Sequence, residues 1–137
     1  MGDPLSIASS IVSLIQLARD VVMYLKEVKD ATKERERISL EICSVNGLLF
    51  SLQDAIERWS SEDALPTAMK SLGSPNGPLE QFKLALGNLA EKLKPARGIK
   101  AVTMLKWPFQ KGEVADIIHT IERLKSLFSL VLQNDHM

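Results

Sequence analysis

An all-α fold, a bundle of four helices with one or two extra short helices in its connections, is what this sequence predicts, and three observations carry the prediction. Apolar residues recur at alternating steps of four and three in four separate stretches. Clusters of helix-breaking residues separate those stretches. No segment shows the apolar and polar alternation of a half-buried strand, and no period of about 20 to 50 residues repeats.

The first helix is expected over residues 4–29. Asp3 is placed to cap it and Pro4 to occupy its first position, where a missing N–H costs nothing. Ile7, Ile11, Leu14, Ala18, Val21, Leu25 and Val28 form its core stripe, and Ser6, Ser9, Ser13, Gln16 and Asp20 follow the same rhythm on another face. Leu5, Ala8, Val12, Ile15, Leu17 and Val22 widen the apolar surface, so most of the circumference tolerates burial or lipid. From Asp30 to Arg37 the chain turns densely charged, reading as a solvated connection or an exposed helical turn. The second helix, over 34–60, carries Ile38, Ile42, Val45, Leu49, Leu52, Ile56 and Trp59. Gly47 inside it costs about 1 kcal/mol relative to Ala, which packing offsets or which admits a close helix approach.

Pro66, Gly73, Pro75, Asn76, Gly77 and Pro78 interrupt the next segment and leave room for a short helix over 63–72. The third long helix, over 78–94, is built on Leu79, Phe82, Leu86, Leu89 and Leu93 and is ended by Pro95 and Gly98. A second short helix fits 99–106, stopped by Trp107, Pro108 and Phe109. Val114, Ile117, Ile121, Leu124, Phe128 and Val131 mark the fourth, over 112–133. The seven-residue rhythm favours a shallow crossing of about +20° between largely antiparallel neighbours, with linkers long enough for a crossover.

Composition bounds the function. The 137 residues, 45% hydrophobic and 25% charged, make one soluble domain with one core, large enough to fold without disulfide or metal. Cys43 has no second cysteine to pair with, in keeping with a reducing compartment, and is expected as a small buried hydrophobe on the second helix. Seventeen basic groups against seventeen acidic ones remove the main argument for a nucleic-acid binder. Nothing basic precedes the first apolar stretch, against a secretory signal. The uncharged run from Pro4 to Ala18 is interrupted by serines and is shorter than the ~20 residues of a membrane span. Met1 to Ser6 match the loose myristoylation pattern, although Asp3 and Pro4 suit it poorly.

Chemistry is hard to place in this chain. Asp116 and His119 stand three apart on one helix, a spacing used in bundle metal sites, but no other helix offers matching ligands. A surface carboxylate beside a partly exposed imidazole is the better reading. No phosphate loop, nucleophile elbow or HExxH motif occurs, so no enzyme activity, catalytic residue, metal, cofactor or small-molecule substrate is expected. The charge is uneven, however. Lys92, Lys94, Arg97, Lys100, Lys106 and Lys111 follow one another with no acid between Glu91 and Glu113, which sets +6 on that stretch against −6 elsewhere. Met104, Leu105, Trp107 and Phe109 lie among these cations, a mixture that suits an anionic membrane surface or an acidic partner. The alternative is a solvated linker whose Trp107 and Phe109 plug the end of the bundle.

Four passages carry a resemblance to a known family: Gly2 to Val12, Gly77 to Phe82, Leu105 to Val114 and Ile121 to Leu127. Together they resemble the fungal HeLo-like N-terminal domain found ahead of NACHT, ankyrin-repeat and other modules in NLR-type (STAND) receptors. The likeness covers nearly the whole chain. It implies a helical-bundle effector or signalling domain of an immune or incompatibility protein, similar in logic to the HeLo domain and to the mixed-lineage kinase-like four-helix bundle. In those, an apolar N-terminal helix helps permeabilise membranes in regulated cell death once receptors cluster. On this chain the resemblance implies a membrane-active surface at Leu5, Ile7, Ile11, Leu14 and Ile15. An anionic-lipid or partner patch falls at Lys92, Lys94, Arg97, Lys100, Lys106 and Lys111, and a structural motif at Trp107, Pro108 and Phe109. The expected partners are further copies of the chain or homologous bundles and an anionic membrane, with a cytoplasmic location and recruitment to the plasma membrane on activation. The chain is expected to be an excised domain or a short stand-alone form. The competing expectation is a soluble homotypic adaptor bundle with no membrane activity.

Overall fold

The computed structural model describes residues 4–28, 32–58, 66–99 and 107–134. Their regular structure is all helical. Four long helices, α1 (Pro4–Lys26), α2 (Thr32–Arg58), α4 (Pro78–Ile99) and α5 (Lys111–Asn134), are joined by a one-turn helix α3 (Thr67–Lys70) and a 3₁₀ turn (Ser71–Gly73). The all-α four-helix expectation holds. Asp3, Trp59, residues 63–65 of the first expected short helix and residues 100–106 of the second lie outside the described residues.

The apolar stripes close on one core. Every described residue of the first three stripes is buried, as are Val114, Ile121, Leu124, Phe128 and Val131 of α5. Phe82 of α4 meets Phe128 of α5 edge-on, with ring centroids 6.3 Å apart. Helix α1 lies between α2 and α4, and α5 lies between the same two helices on the other side. Helices α2 and α4 are therefore not neighbours, and the described part of the connection between them, residues 66–77, packs on α1, α4 and α5. There Met69 and Leu72 are driven fully into the core beneath α3 and the 3₁₀ turn.

The turn into α4 is set by its backbone. Gly77 donates its N–H to the Ser74 carbonyl at 2.9 Å around Pro75 and Asn76, and Asn76 takes a φ of 60°, the left-handed region an asparagine tolerates. Pro78 then opens the helix, and the Gln81 N–H returns to the Gly77 carbonyl at 3.0 Å. Gly77 has no room for a side chain, because a Cβ there would stand 2.7 Å from Ser74 Oγ and 2.9 Å from two carbonyl oxygens.

Several expectations need correction. Helix α1 ends at Lys26, and Val28 reaches the core from a non-helical turn closed by its N–H to the Leu25 carbonyl at 3.2 Å. The described part of the charged run, expected as a solvated connection or an exposed helical turn, is the latter: it forms the first turns of α2, with Lys33, Glu36 and Arg37 in solvent. Pro95 and Gly98 do not end α4, which runs to Ile99. The proline ring already holds a helical φ, and the Glu91 carbonyl that loses its donor belongs to an exposed residue. On α5 the fully inward side chain is Ile118, with Ile117 only half-buried, a rotation of one position from the assigned stripe. Cys43 is exposed, not buried, because it lies on the opposite side of α2 from Ile42 and Val45. Gly47 admits no close approach within the bundle: a Cβ there would meet nothing within 4 Å.

Candidate functional site

Two places were expected to meet a membrane, and the fold treats them differently. The first is α1. Of its five named residues, Ile7, Ile11, Leu14 and Ile15 are buried in the core, and Leu5 alone projects, 83% exposed. Val12 and Met23, at i+7 and i+18 from Leu5, are also exposed and extend the apolar line along the outer face. The neutral residues between them leave that face uncharged from Leu5 to Ala18.

On its flank α1 forms an open groove with α4 of about 730 Å³, floored by Leu14, Leu17 and Leu79 and edged by Ser9, Ser13 and Gly87. The segment Leu5–Lys26 is long and apolar enough to cross a membrane, and one-third of its most apolar window is buried inside the bundle. The uncharged run alone was too short. The helix passes that threshold because it continues through Val21, Val22, Met23, Tyr24 and Leu25, past only Arg19 and Asp20.

The second place is the cationic stretch, of which the structure describes the two ends. Lys92, near the end of α4, forms an ion pair with Glu113 in the first turn of α5 and stands 5.4 Å from the centre of the Phe109 ring. Glu113 also accepts the Gln110 N–H at 3.0 Å, the reciprocal bond of a helix capping box, while Val114 donates to the Gln110 carbonyl. The Lys92 hydrogen bond, and after it the Gln110 N–H, hold the Glu113 carboxyl below the usual carboxylate range. Trp107 packs edge-on to Phe109 at 5.0 Å between centroids, and Phe109 is buried against the core with Trp107 and Pro108 half-covered. Trp107 and Phe109 thus plug the bundle, as the second reading of that segment has it.

Lys92 is committed to this clasp and its charge is balanced locally. Lys111 is exposed. The side chains of Lys94 and Arg97, and all of Lys100 and Lys106, lie outside the described residues.

Asp116 and His119 are exposed on α5, and among the described residues no group of three metal-ligating side chains converges. Sequence reasoning missed the exposed outer face of α2, where Leu40 and Phe50 are 68% and 48% exposed. Its signal was present: between Arg37 and Asp54 the only charged residue is Glu41, which turns aside to pair with Lys125 of α5 at 2.9 Å. No family model, curated protein or solved structure matches the chain.

Proposed function

We propose that this domain is the N-terminal effector or signalling module of a fungal NLR-like protein, acting when copies cluster and α1 moves from the bundle into an anionic membrane. The observation that carries the reading is α1 itself, a helix of membrane-spanning length whose outer face is apolar or neutral from Leu5 to Ala18 and whose inner face holds the core. Its roughly 33 Å length, at about 1.5 Å per residue, matches the ~30 Å hydrocarbon layer.

The energetics make release conditional. Six large apolar residues of α1, Ile7, Ile11, Leu14, Ile15, Val21 and Leu25, are buried. At about 1.5 to 3 kcal/mol each, exposing them to water costs as much as the whole stability of an ordinary domain, about 5 to 15 kcal/mol. The helix therefore does not leave for water. It leaves only where lipid receives the same side chains, and clustering and anionic headgroups supply the local concentration.

The experiment is dye release from anionic and neutral vesicles, with co-sedimentation. Ile11 and Leu14 are unsuitable targets, since a Glu at either would sit in the core. Val12→Asp and Leu5→Asp place charge on the exposed face and leave the bundle intact, which circular dichroism checks. Leakage of anionic vesicles that these variants reduce at least tenfold is expected. Absence of binding by a folded, forcibly clustered domain would overturn the reading in favour of the soluble adaptor.

A further inference from the structure

Helix α2 turns two different flanks to its two neighbours. On the flank toward α5 stand Glu41, Leu48 and Ala55, spaced by seven. Glu41 is ion-paired with Lys125 at 2.9 Å, Leu48 packs against the core and Ala55 is buried. On the flank toward α1 stand Ser39, Asn46 and Gln53, spaced in the same way, all polar and all half-buried. Asn46 fixes the register of this second flank, because its Nδ2 donates to the Ile15 carbonyl at 3.4 Å. Helices α1 and α2 are joined by a short connection and run antiparallel, so Ser39 falls opposite Val22 and Gln53 opposite Ala8. Each polar position of α2 therefore meets an apolar position of α1.

The contact at the centre of this seam is a poor one. The Asn46 bond is longer than the usual N–H···O range of about 2.7 to 3.2 Å, and its acceptor is already engaged by the N–H four residues further along α1. Asn46 Oδ1 is shielded from solvent and finds no donor among the described residues. A buried acceptor without a partner carries its full desolvation cost. The seams of α5 are tied by charge and by packing instead, Glu41 with Lys125 toward α2, and Lys92 with Glu113 and Phe82 against Phe128 toward α4.

The geometry points to Asn46 as the residue that sets how readily α1 parts from the bundle. With α1 in place its Oδ1 is orphaned, and once α1 leaves, water reaches it. The cost exists only in the closed state, so its relief offsets part of the cost of exposing Ile11 and Ile15. Leucine, with the same branched shape and no polar atom, removes that bias. This deepens the release step of the reading above and rests on it for its meaning at a membrane, while the seam itself is tested without lipid.

The test is hydrogen exchange read by mass spectrometry on the middle of α1, around Ile15, and the middle of α5, around Leu124. In the wild-type chain the α1 amides should exchange ahead of those of α5. Equal rates would mean that the bundle opens only as a whole, which overturns the inference. Asn46→Leu should slow the α1 amides about fivefold or more, the scale of one unpaired buried acceptor. Asn46→Met, whose unbranched chain adapts to the same space, repeats the test, and slowing in neither variant overturns the inference. Lys125→Met, which cuts the α2 to α5 pair, should leave the α1 amides unchanged, and quickening them overturns the assignment to the α1 seam. With anionic vesicles, the clustered Asn46→Leu domain should leak dye at least fivefold more slowly than wild type, and equal leakage overturns Asn46 as the release threshold. A wild-type chain whose α1 opens in exchange but never leaks vesicles supports the weak seam and overturns the membrane reading.

Discussion

The two ends of α4 close the bundle by different physics. Ahead of Pro78, Met69 and Leu72 enter the core as fully buried side chains, and a turn fixed by Asn76 and Gly77 holds them there. Beyond Lys92, Phe109 covers the core edge, and its position depends on a half-exposed ion pair and on Trp107 beside it. One closure is apolar burial and backbone geometry, nearly blind to salt and pH. The other has charge in it and can be tuned by both.

Breaking the first closure should have the largest effect. Leu72→Ala is expected to lower stability by about 2 to 5 kcal/mol, measured by urea denaturation and equal at low and high salt. Gly77→Ala should follow, at about 1 to 3 kcal/mol, because its Cβ presses on carbonyl oxygens that cannot move without opening the turn. At the other closure, Lys92→Met keeps the side-chain stem over Phe109 but removes the ion pair. Its smaller loss of stability should disappear when the denaturation is repeated at about 1 M salt, where the screening length is near 3 Å. The least effect is the pH response. Glu113 titrates below its ordinary range in the folded chain, so its contribution is present above the unfolded value of 4.5 and is lost as pH falls through the folded one. Glu113→Gln should flatten that acid limb of the stability profile, its small loss of stability appearing at neutral pH and vanishing in acid, where the wild-type carboxyl is itself protonated.

How far each closure was legible follows from its length. The Trp107 to Phe109 plug stands out in the sequence as aromatics and a proline among cations. Gln110 and Glu113 even carry the spacing of a capping box. What summed charge conceals is that Lys92 answers Glu113 across the intervening segment, which only the packing of α4 against α5 creates. The lid of Met69 and Leu72 rests on a single turn of helix, too short for any period to emerge. The long helices, by contrast, announce themselves through Ile7 to Val28 and Ile38 to Ile56, because every step of four and three points to the same core. The pattern fails by one position at Ile117 and Ile118, where two adjacent isoleucines fit the series equally well and only the neighbouring helices choose. On α1 the series identified the buried face, but which flanking residues stay in water, Leu5 and Val12 but not Ile15, depends on where α2 and α4 stop.

The turn before α4 also makes a chemical clock. Asn76 is exposed and followed by glycine, the pairing in which a backbone nitrogen most readily attacks the preceding side-chain amide carbonyl, expelling its nitrogen as ammonia and closing a succinimide. Here the attacking nitrogen belongs to Gly77, and its N–H is held by the Ser74 carbonyl within a turn that admits no extra atom. Deamidation at Asn76 should therefore be slow while the lid is shut and quicken whenever it opens. The fraction of aged protein found by mass spectrometry becomes a record of how often that end of the bundle has come undone.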